Sequence, residues 1–488
     1  MEISPKTSML QRLMLESPPL RFFSEKPSWH WIIVATVCIG AFLGQLDASI
    51  VSLVLPTLQD TFHVPFSQVQ WVAILYLLVL TSLITPLGRI ADKFGRKSLY
   101  VNGFIVFIVG SGLCGLAPNL DILIIARALQ GIGAAMLQAN SVAIITAASP
   151  KKALGRAIGV QATAQALGLA IGPSLGGLLI EILGWRWVFL LNLPIGLAGA
   201  LLARFTLPQT HHQEGSASLN IPGAIWLTIA IASLLMALSW LHLVIYYLPA
   251  FFLSLYLFWR SEKKAEKPLL GPTLLSIKGF KPGITAGLLS YSVLFSGLFA
   301  IPILLERVFL IHPAKAGLLL TLIPVCLTLI AQLGGWLTDR TGPKFPTVTG
   351  MLISAVGTLV LYLGANHDMP VLVAGLIGLG AGMGLFIPAN NASVMGLAPT
   401  THLGLAGGLL NMMRGLGGSL GVALVSLILM LNGSNGMNTV TGRHNTLVGI
   451  KMTMVICMVL ALIAAFLSFE RDSVKSMPVD HHDKADLL

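Results

Sequence analysis

The chain has 488 residues, of which 55% are hydrophobic and 10% are charged, with a net charge of +11 and a mean hydropathy of +0.84. Soluble domains carry about 25% charged residues, so the composition excludes a soluble globular domain and points to a polytopic membrane protein. The 30 basic residues lie between apolar runs rather than in one patch, a pattern of membrane topology and not of nucleic-acid binding.

Residues 1–30 read as a cytoplasmic arm, because no small-residue cleavage site precedes the first apolar run. A helical span needs roughly 20 apolar residues, and lipid allows long spanning segments only as helices or closed barrels. Apolar runs predict spans near 31–55, 69–88, 98–117, 120–147, 157–180 and 185–206. After the polar break "PQTHHQEGSASLN" come two close runs, 221–239 and 243–259, readable as two spans or one re-entrant hairpin. Six more follow near 284–305, 316–336, 346–364, 370–394, 405–431 and 448–469. The expected organisation is an all-α chain of fourteen spans. It has a six-helix bundle at 31–206, a linker with two inserted helices at 207–283, a second bundle at 284–469 and a cytoplasmic tail at 470–488.

With the first residue inside, the inner segments carry 23 Lys and Arg, the outer loops carry 5, and Arg127 and Arg414 fall within spans. That bias predicts both termini in the cytoplasm of a cell whose inner membrane holds the chain. The four cysteines, Cys38, Cys114, Cys326 and Cys457, lie in apolar runs and read as packing thiols, not as disulfides or a metal site. The pairs His211–His212 and His481–His482 lack further ligands at metal spacing. No GxxxxGK[ST] loop is present and no nucleophile has a partnered base, so neither ATP-driven work nor catalysis is expected. No cofactor is expected either, which leaves an ion gradient as the energy source.

The chain repeats itself. "GRIADKFGRK" at 88–97 returns as "GWLTDRTGPK" at 335–344, matching Gly88, Asp92, Gly95 and Lys97 with Gly335, Asp339, Gly342 and Lys344. At an offset of 249, Gly131, Gly133, Gly168 and Gly172 match Gly380, Gly382, Gly417 and Gly421. Duplicated bundles of this kind build alternating-access transporters around a midplane site. The deep charges break the repeat: Asp47 falls opposite Ser296, Arg127 opposite Leu376, and Arg414 opposite Gln165. Shared glycines suit a scaffold, and unshared charges suit function in one half.

Asp47 lies halfway along its span, where a charge costs about 2.5–3.5 kcal/mol on insertion scales. It therefore needs a cavity or a partner, and Arg127 is the cation of the same half. The acid either takes and releases a proton in each cycle or sits in a permanent pair with Arg127 or an amide. Arg414, beside Gly415, Gly417 and Gly418, has three readings: an anion on a substrate, an offset to Asp47, or backbone carbonyls. Glu306 and Arg307 close a span and read as an interfacial pair. Tyr76, Gln138, Asn140, Tyr291, Phe295 and Phe299 are candidate cavity liners. In the 88–97 loop, Gly88 and Gly95 suit a tight reversal, Asp92 can accept bonds at a helix N-terminus, and Arg96 and Lys97 are expected to meet anionic headgroups or the facing half. In "GLAIGPSLGG", Gly168, Gly172, Gly176 and Gly177 permit close helix approach and Pro173 a bend.

From about residue 30 to 470 the chain resembles the major facilitator superfamily, and within it the fourteen-helix drug:proton antiporters. "LDASIVSLVLP" is similar to the first-helix motif, with Ser49 and Ser52 where Thr and Asn are usual. "QWVAILYLL", "GRIADKFGRK", "RALQGIGAA", "GLAIGPSLGG" and "NMMRGLGGSLG" follow in the family's order. The resemblance implies proton-coupled efflux of small lipophilic or drug-like compounds by alternating access, with Asp47 and Arg127 coupling protons. It also implies that the 88–97 loop, with Asp339 in its repeat, latches the halves, and that the Gly172–Pro173 motif belongs to exporters. Substrate contacts are expected at Asp47, Arg414, Tyr76, Gln138, Tyr291 and Phe295. An exporter of one endogenous metabolite, such as a siderophore, an amino acid or a lipid-like compound, is the alternative on the same fold. Partners are the substrate, protons and lipid. A periplasmic adaptor is left open, and otherwise a monomer is expected.

Overall fold

The computed structural model describes residues 28–150, 154–209, 220–239, 243–265, 276–366, 368–398, 403–433 and 440–470, with Pro19 and Leu274 besides. Most of the expected arm and tail, both histidine pairs, and the side chains of Asp92 and Asp339 lie outside the described residues. Fourteen long helices run through the described chain. In the first half these are α1 (Trp29–Phe62), α2 (Trp71–Phe94), α3 (Arg96–Gly115), α4 (Leu120–Ala148), α5 (Leu154–Ile182) and α6 (Asn192–Thr206). An inserted pair follows, α7 (Ile221–Ser239) and α8 (Val244–Lys264). The second half has α9 (Phe280–Ile303), α10 (Pro313–Leu320 and Leu322–Thr341), α11 (Lys344–Gly364), α12 (Met369–Leu397), α13 (Leu403–Leu431) and α14 (Val440–Phe469). Among the described residues, thirteen stretches are long and apolar enough to cross a membrane, and α7 contributes the shorter apolar stretch Pro222–Ala237. The chain is an all-α polytopic membrane protein.

The duplication seen in the sequence reappears as packing. α1 packs on α5, α3 on α4 and α2 on α4, while α9 packs on α13, α11 on α12 and α10 on α12. Even the helix starts correspond. Asn119 accepts from Ile122 N (3.0 Å) to cap α4, and Asp368 accepts from Val371 N (3.2 Å) to cap α12. The two reversals use glycine at positive φ, Gly95 at 106° and Gly342 at 79°, a region costly for residues with a Cβ.

The lysines after these turns also act alike, within their own halves. Lys97 is buried and donates from Nζ to Leu207 O (2.7 Å), at the end of α6. Lys344 lies over the Phe469 ring (4.2 Å), at the end of α14. The expectation that Lys97 meets headgroups or the facing half is therefore corrected: the last carbonyls of a helix lack intrahelical partners, and the ammonium satisfies one of them.

The inserted pair forms two helices. At about 1.5 Å per residue, the 19 and 21 residues of α7 and α8 match the roughly 30 Å of hydrocarbon. α7 lies against α2 and α13, one helix from each half, and α8 packs on α7. Asn220 ties the pair at one end: its Oδ1 accepts from Gly223 N and Ser261 Oγ, and its Nδ2 donates to Glu262 Oε1 (2.7 Å). The outward face of α8, with Ile245, Tyr246 and Phe252 exposed, suits lipid.

Candidate functional site

Asp47 on α1 is fully buried, and α4 and α6 satisfy it. Arg127 Nη1 donates to Oδ2 (2.6 Å), while Gln130 Nε2 (2.8 Å) and Asn192 Nδ2 (3.1 Å) donate to Oδ1. Arg127 also donates from Nε to Val72 O (2.8 Å) and from Nη1 to Gln130 Oε1 (2.6 Å), and its guanidinium lies over the Tyr76 ring (4.1 Å). Ser111 Oγ accepts from both Gln130 and Asn192 (3.0 Å each) and donates to Phe189 O (2.8 Å). The network draws on α1, α2, α3, α4 and α6. Removing one member of a buried pair strands the other charge, which costs about 3–5 kcal/mol.

The second half is the internal control. At the repeat offset, Leu376 and Leu379, both fully buried, stand where Arg127 and Gln130 stand. Ser296, opposite Asp47, donates to Gly421 O (3.1 Å). The same scaffold thus closes without charge, and the polar network is an addition to one half.

Beside the network, between the halves, is a small cavity with about 20 Å³ free for water, room for about one molecule. Tyr76 and Arg127 line it from the first half with Ser52, and Phe295, Phe299 and Val422 from the second. Three of the expected liners, Tyr76, Phe295 and Phe299, thus meet here. Gln138 is buried against Gly44 of α1, and Asn140 returns a bond to Met136 O of its own helix (3.0 Å); neither lines the cavity.

The halves are sealed on one side of this cavity. Arg307 Nη2 donates to Pro56 O (2.6 Å) and pairs with Asp60 (2.8 Å), so Arg307 reaches across the seam. Ser174 and Thr321 hydroxyls meet at 2.6 Å. The glycine-rich stretch of α5 packs tightly at two levels. A Cβ at Gly172 would meet Ser49 of α1, and one at Gly177 would meet the Pro313 carbonyl of α10 at 2.4 Å. Pro173 contributes its own carbonyl to the seam, 2.2 Å from a Cβ built on Gly317, while Gly168 and Gly176 back onto α1. At the opposite end, around Gly335, Gly396, Gly407 and Gly408, an added Cβ would meet nothing within 4 Å among the described residues. Gly88, at that end, has only the Ala139 carbonyl within 4 Å (3.8 Å) among the described residues. Arg96 is half-buried at the start of α3.

Arg414 lies deeper, half-buried on α13. Its Nε donates to Tyr291 Oη and its Nη1 to Gln165 Oε1, both at 3.3 Å. Tyr291 therefore belongs with Arg414 and not with the cavity lining.

Comparisons with known proteins agree with this architecture. The family model for the Major Facilitator Superfamily matches residues 37–279 and 283–485. The chain is 32% identical over 400 residues to the riboflavin transporter RibZ of Clostridioides difficile (strain 630), covering 81% of this chain and 87% of RibZ. It is 29% identical over 403 residues to the multidrug resistance protein Stp of Mycobacterium tuberculosis (strain CDC 1551 / Oshkosh), covering 80% of this chain and 74% of Stp. Among solved structures, a bacterial homologue of the human lysosomal transporter Spinster, in an inward-facing and unoccupied conformation, superposes with a TM-score of 0.64. It is 16% identical, and the match covers 91% of this chain and 97% of that one.

Proposed function

The chain belongs to the Major Facilitator Superfamily and is a transporter, and we propose that it exports small lipophilic or drug-like compounds in exchange for protons, by alternating access. The observation that carries this reading is the contact between the Asp47–Arg127 pair and the central cavity. Arg127 and Tyr76 belong to both. The cavity holds about one water in this conformation, so a compound enters only as the halves part there, and it then touches the groups that a proton on Asp47 would disturb.

Protonating Asp47 cancels its attraction for Arg127 and leaves a buried cation held by neutral acceptors, Val72 O and Gln130 Oε1. An uncompensated buried charge is costly, so that state favours repacking or water entry around α1 and α4. Coupling follows when proton and substrate favour different states. The positive-inside bias supports an inner-membrane location with both termini in the cytoplasm. In that orientation the sealed Arg307 end faces outward, and the conformation is inward-facing.

The relative named a riboflavin transporter favours a second reading, export of one dedicated metabolite on the same machinery. Efflux of a panel of lipophilic dyes from energised cells, with and without a protonophore, separates the two. Protonophore-sensitive efflux of several dyes supports the first reading, and no efflux of any of them sinks it in favour of the second.

A further inference from the structure

The polar groups in the middle of the spans do not balance. Asp47 is the one mid-span carboxylate among the described residues, and Arg127, Gln130 and Asn192 already occupy it. Arg127 and Arg414 are both mid-span cations, so one acid faces two arginines and the surplus charge sits on Arg414.

Arg414 is also the less satisfied of the two. Both of its acceptors are neutral, at 3.3 Å, beyond the usual N–H···O range of about 2.7–3.2 Å, and no bond from Nη2 is present among the described residues. A guanidinium is a planar fork whose paired N–H groups match a carboxylate. Arg414 also faces the open end. Gly407, seven residues earlier and so on the same helical face, has nothing within 4 Å of its would-be Cβ among the described residues, whereas Gly418, one turn later, lies against Phe295. The guanidinium therefore stands where open space gives way to the packed centre, a turn from the cavity's aromatic wall.

We propose that Arg414, with Tyr291 and Gln165, is an anion-recognition subsite, and that the compounds carried bear a carboxylate or comparable anionic group on a lipophilic body. This assignment rests on the transporter reading above and narrows its substrate class. It disfavours permanently cationic compounds, which would bring a second positive charge beside Arg414. As the halves part, Phe295 and Phe299 of the cavity wall would take the apolar body, and Arg414 the anion.

The test is binding by the purified full chain in phosphatidylcholine nanodiscs, with no gradient and no lipid anion to compete. The probes are 7-(diethylamino)coumarin-3-carboxylate and its neutral ethyl ester. Wild type should bind the acid about tenfold more tightly than the ester, the size of one charge-assisted hydrogen bond. Arg414→Gln should abolish that preference with ester binding unchanged, which also reports an intact fold, and Arg414→Lys should keep part of it. A wild type that binds the ester equally or better, or binds neither, overturns the assignment. So does an Arg414→Gln protein that weakens both probes alike. A preference for the acid in a protein that shows no proton-dependent export would end the exporter reading and leave the subsite standing.

Discussion

Arg414 and Gln165 are 249 residues apart, occupy equivalent positions in the two halves of the duplicated chain, and touch each other at 3.3 Å. Equivalent residues of a two-fold arrangement can meet only on its axis, the logic of an isologous contact. The pair therefore marks the pseudo-two-fold axis that relates the two halves. Arg414 is the only member with a charge, so the axis carries an asymmetric, unbalanced contact.

Gln165→Glu places a carboxylate where the neutral acceptor stands. It should pair with Arg414 across the seam, slow transport, and lower affinity for a carboxylated probe by on the order of tenfold. Probe titration of wild type and variant checks this, and unchanged affinity would show that the anion binds elsewhere.

The Asp47–Arg127 pair should show strong coupling in stability. Asp47→Ala and Arg127→Ala should each lower unfolding free energy by about 3–5 kcal/mol, because each strands a buried charge. The double variant should lose much less than the sum. Denaturation in detergent, followed by loss of the monodisperse peak, measures the cycle, and additive losses would mean that the two side chains act independently.

Ser174 and Thr321 meet across the seam at the sealed end. Ser174→Cys with Thr321→Cys, in a chain lacking the four native cysteines, should form a disulfide, since the contact suits the short Cβ separation that such bonds need. Oxidation should stop transport and reductant should restore it. Full activity in the cross-linked protein would mean that this end need not open.

Lys97 supports the end of α6. Lys97→Met keeps the stem and drops the donor, so it should cost about 1–3 kcal/mol of stability. The surviving folded fraction should keep its dependence on the proton gradient. A thermal scan with parallel transport assays reads both, and lost proton dependence at unchanged stability would return this lysine to the latch role.

Much of the fold was legible because lipid imposes it: long apolar runs must become helices, and α7, expected at 221–239, spans Ile221–Ser239. The Asp47–Arg127 pairing was legible because deep charges are rare and one half held one of each sign. Gln130, Asn192 and Ser111 were missed. Neutral polar residues carry no topological penalty large enough to stand out in an apolar run, although Gln130 one turn from Arg127 was a usable signal. The offset named Gln165 as the counterpart of Arg414, but an offset does not show which equivalent pairs lie on the axis. The inward turn of Lys97 could not be read, since a loop motif does not say which carbonyl its ammonium will find.

The central claim is that Asp47 exchanges a proton for substrate. The direct measurement is pH inside proteoliposomes holding the purified chain, followed with a trapped indicator as a transported dye is added, for wild type and Asp47→Asn. The account predicts substrate-dependent proton movement in wild type and none in Asp47→Asn, although the variant still binds the dye. Proton movement of equal size in both proteins would contradict it and place the coupling site on another group.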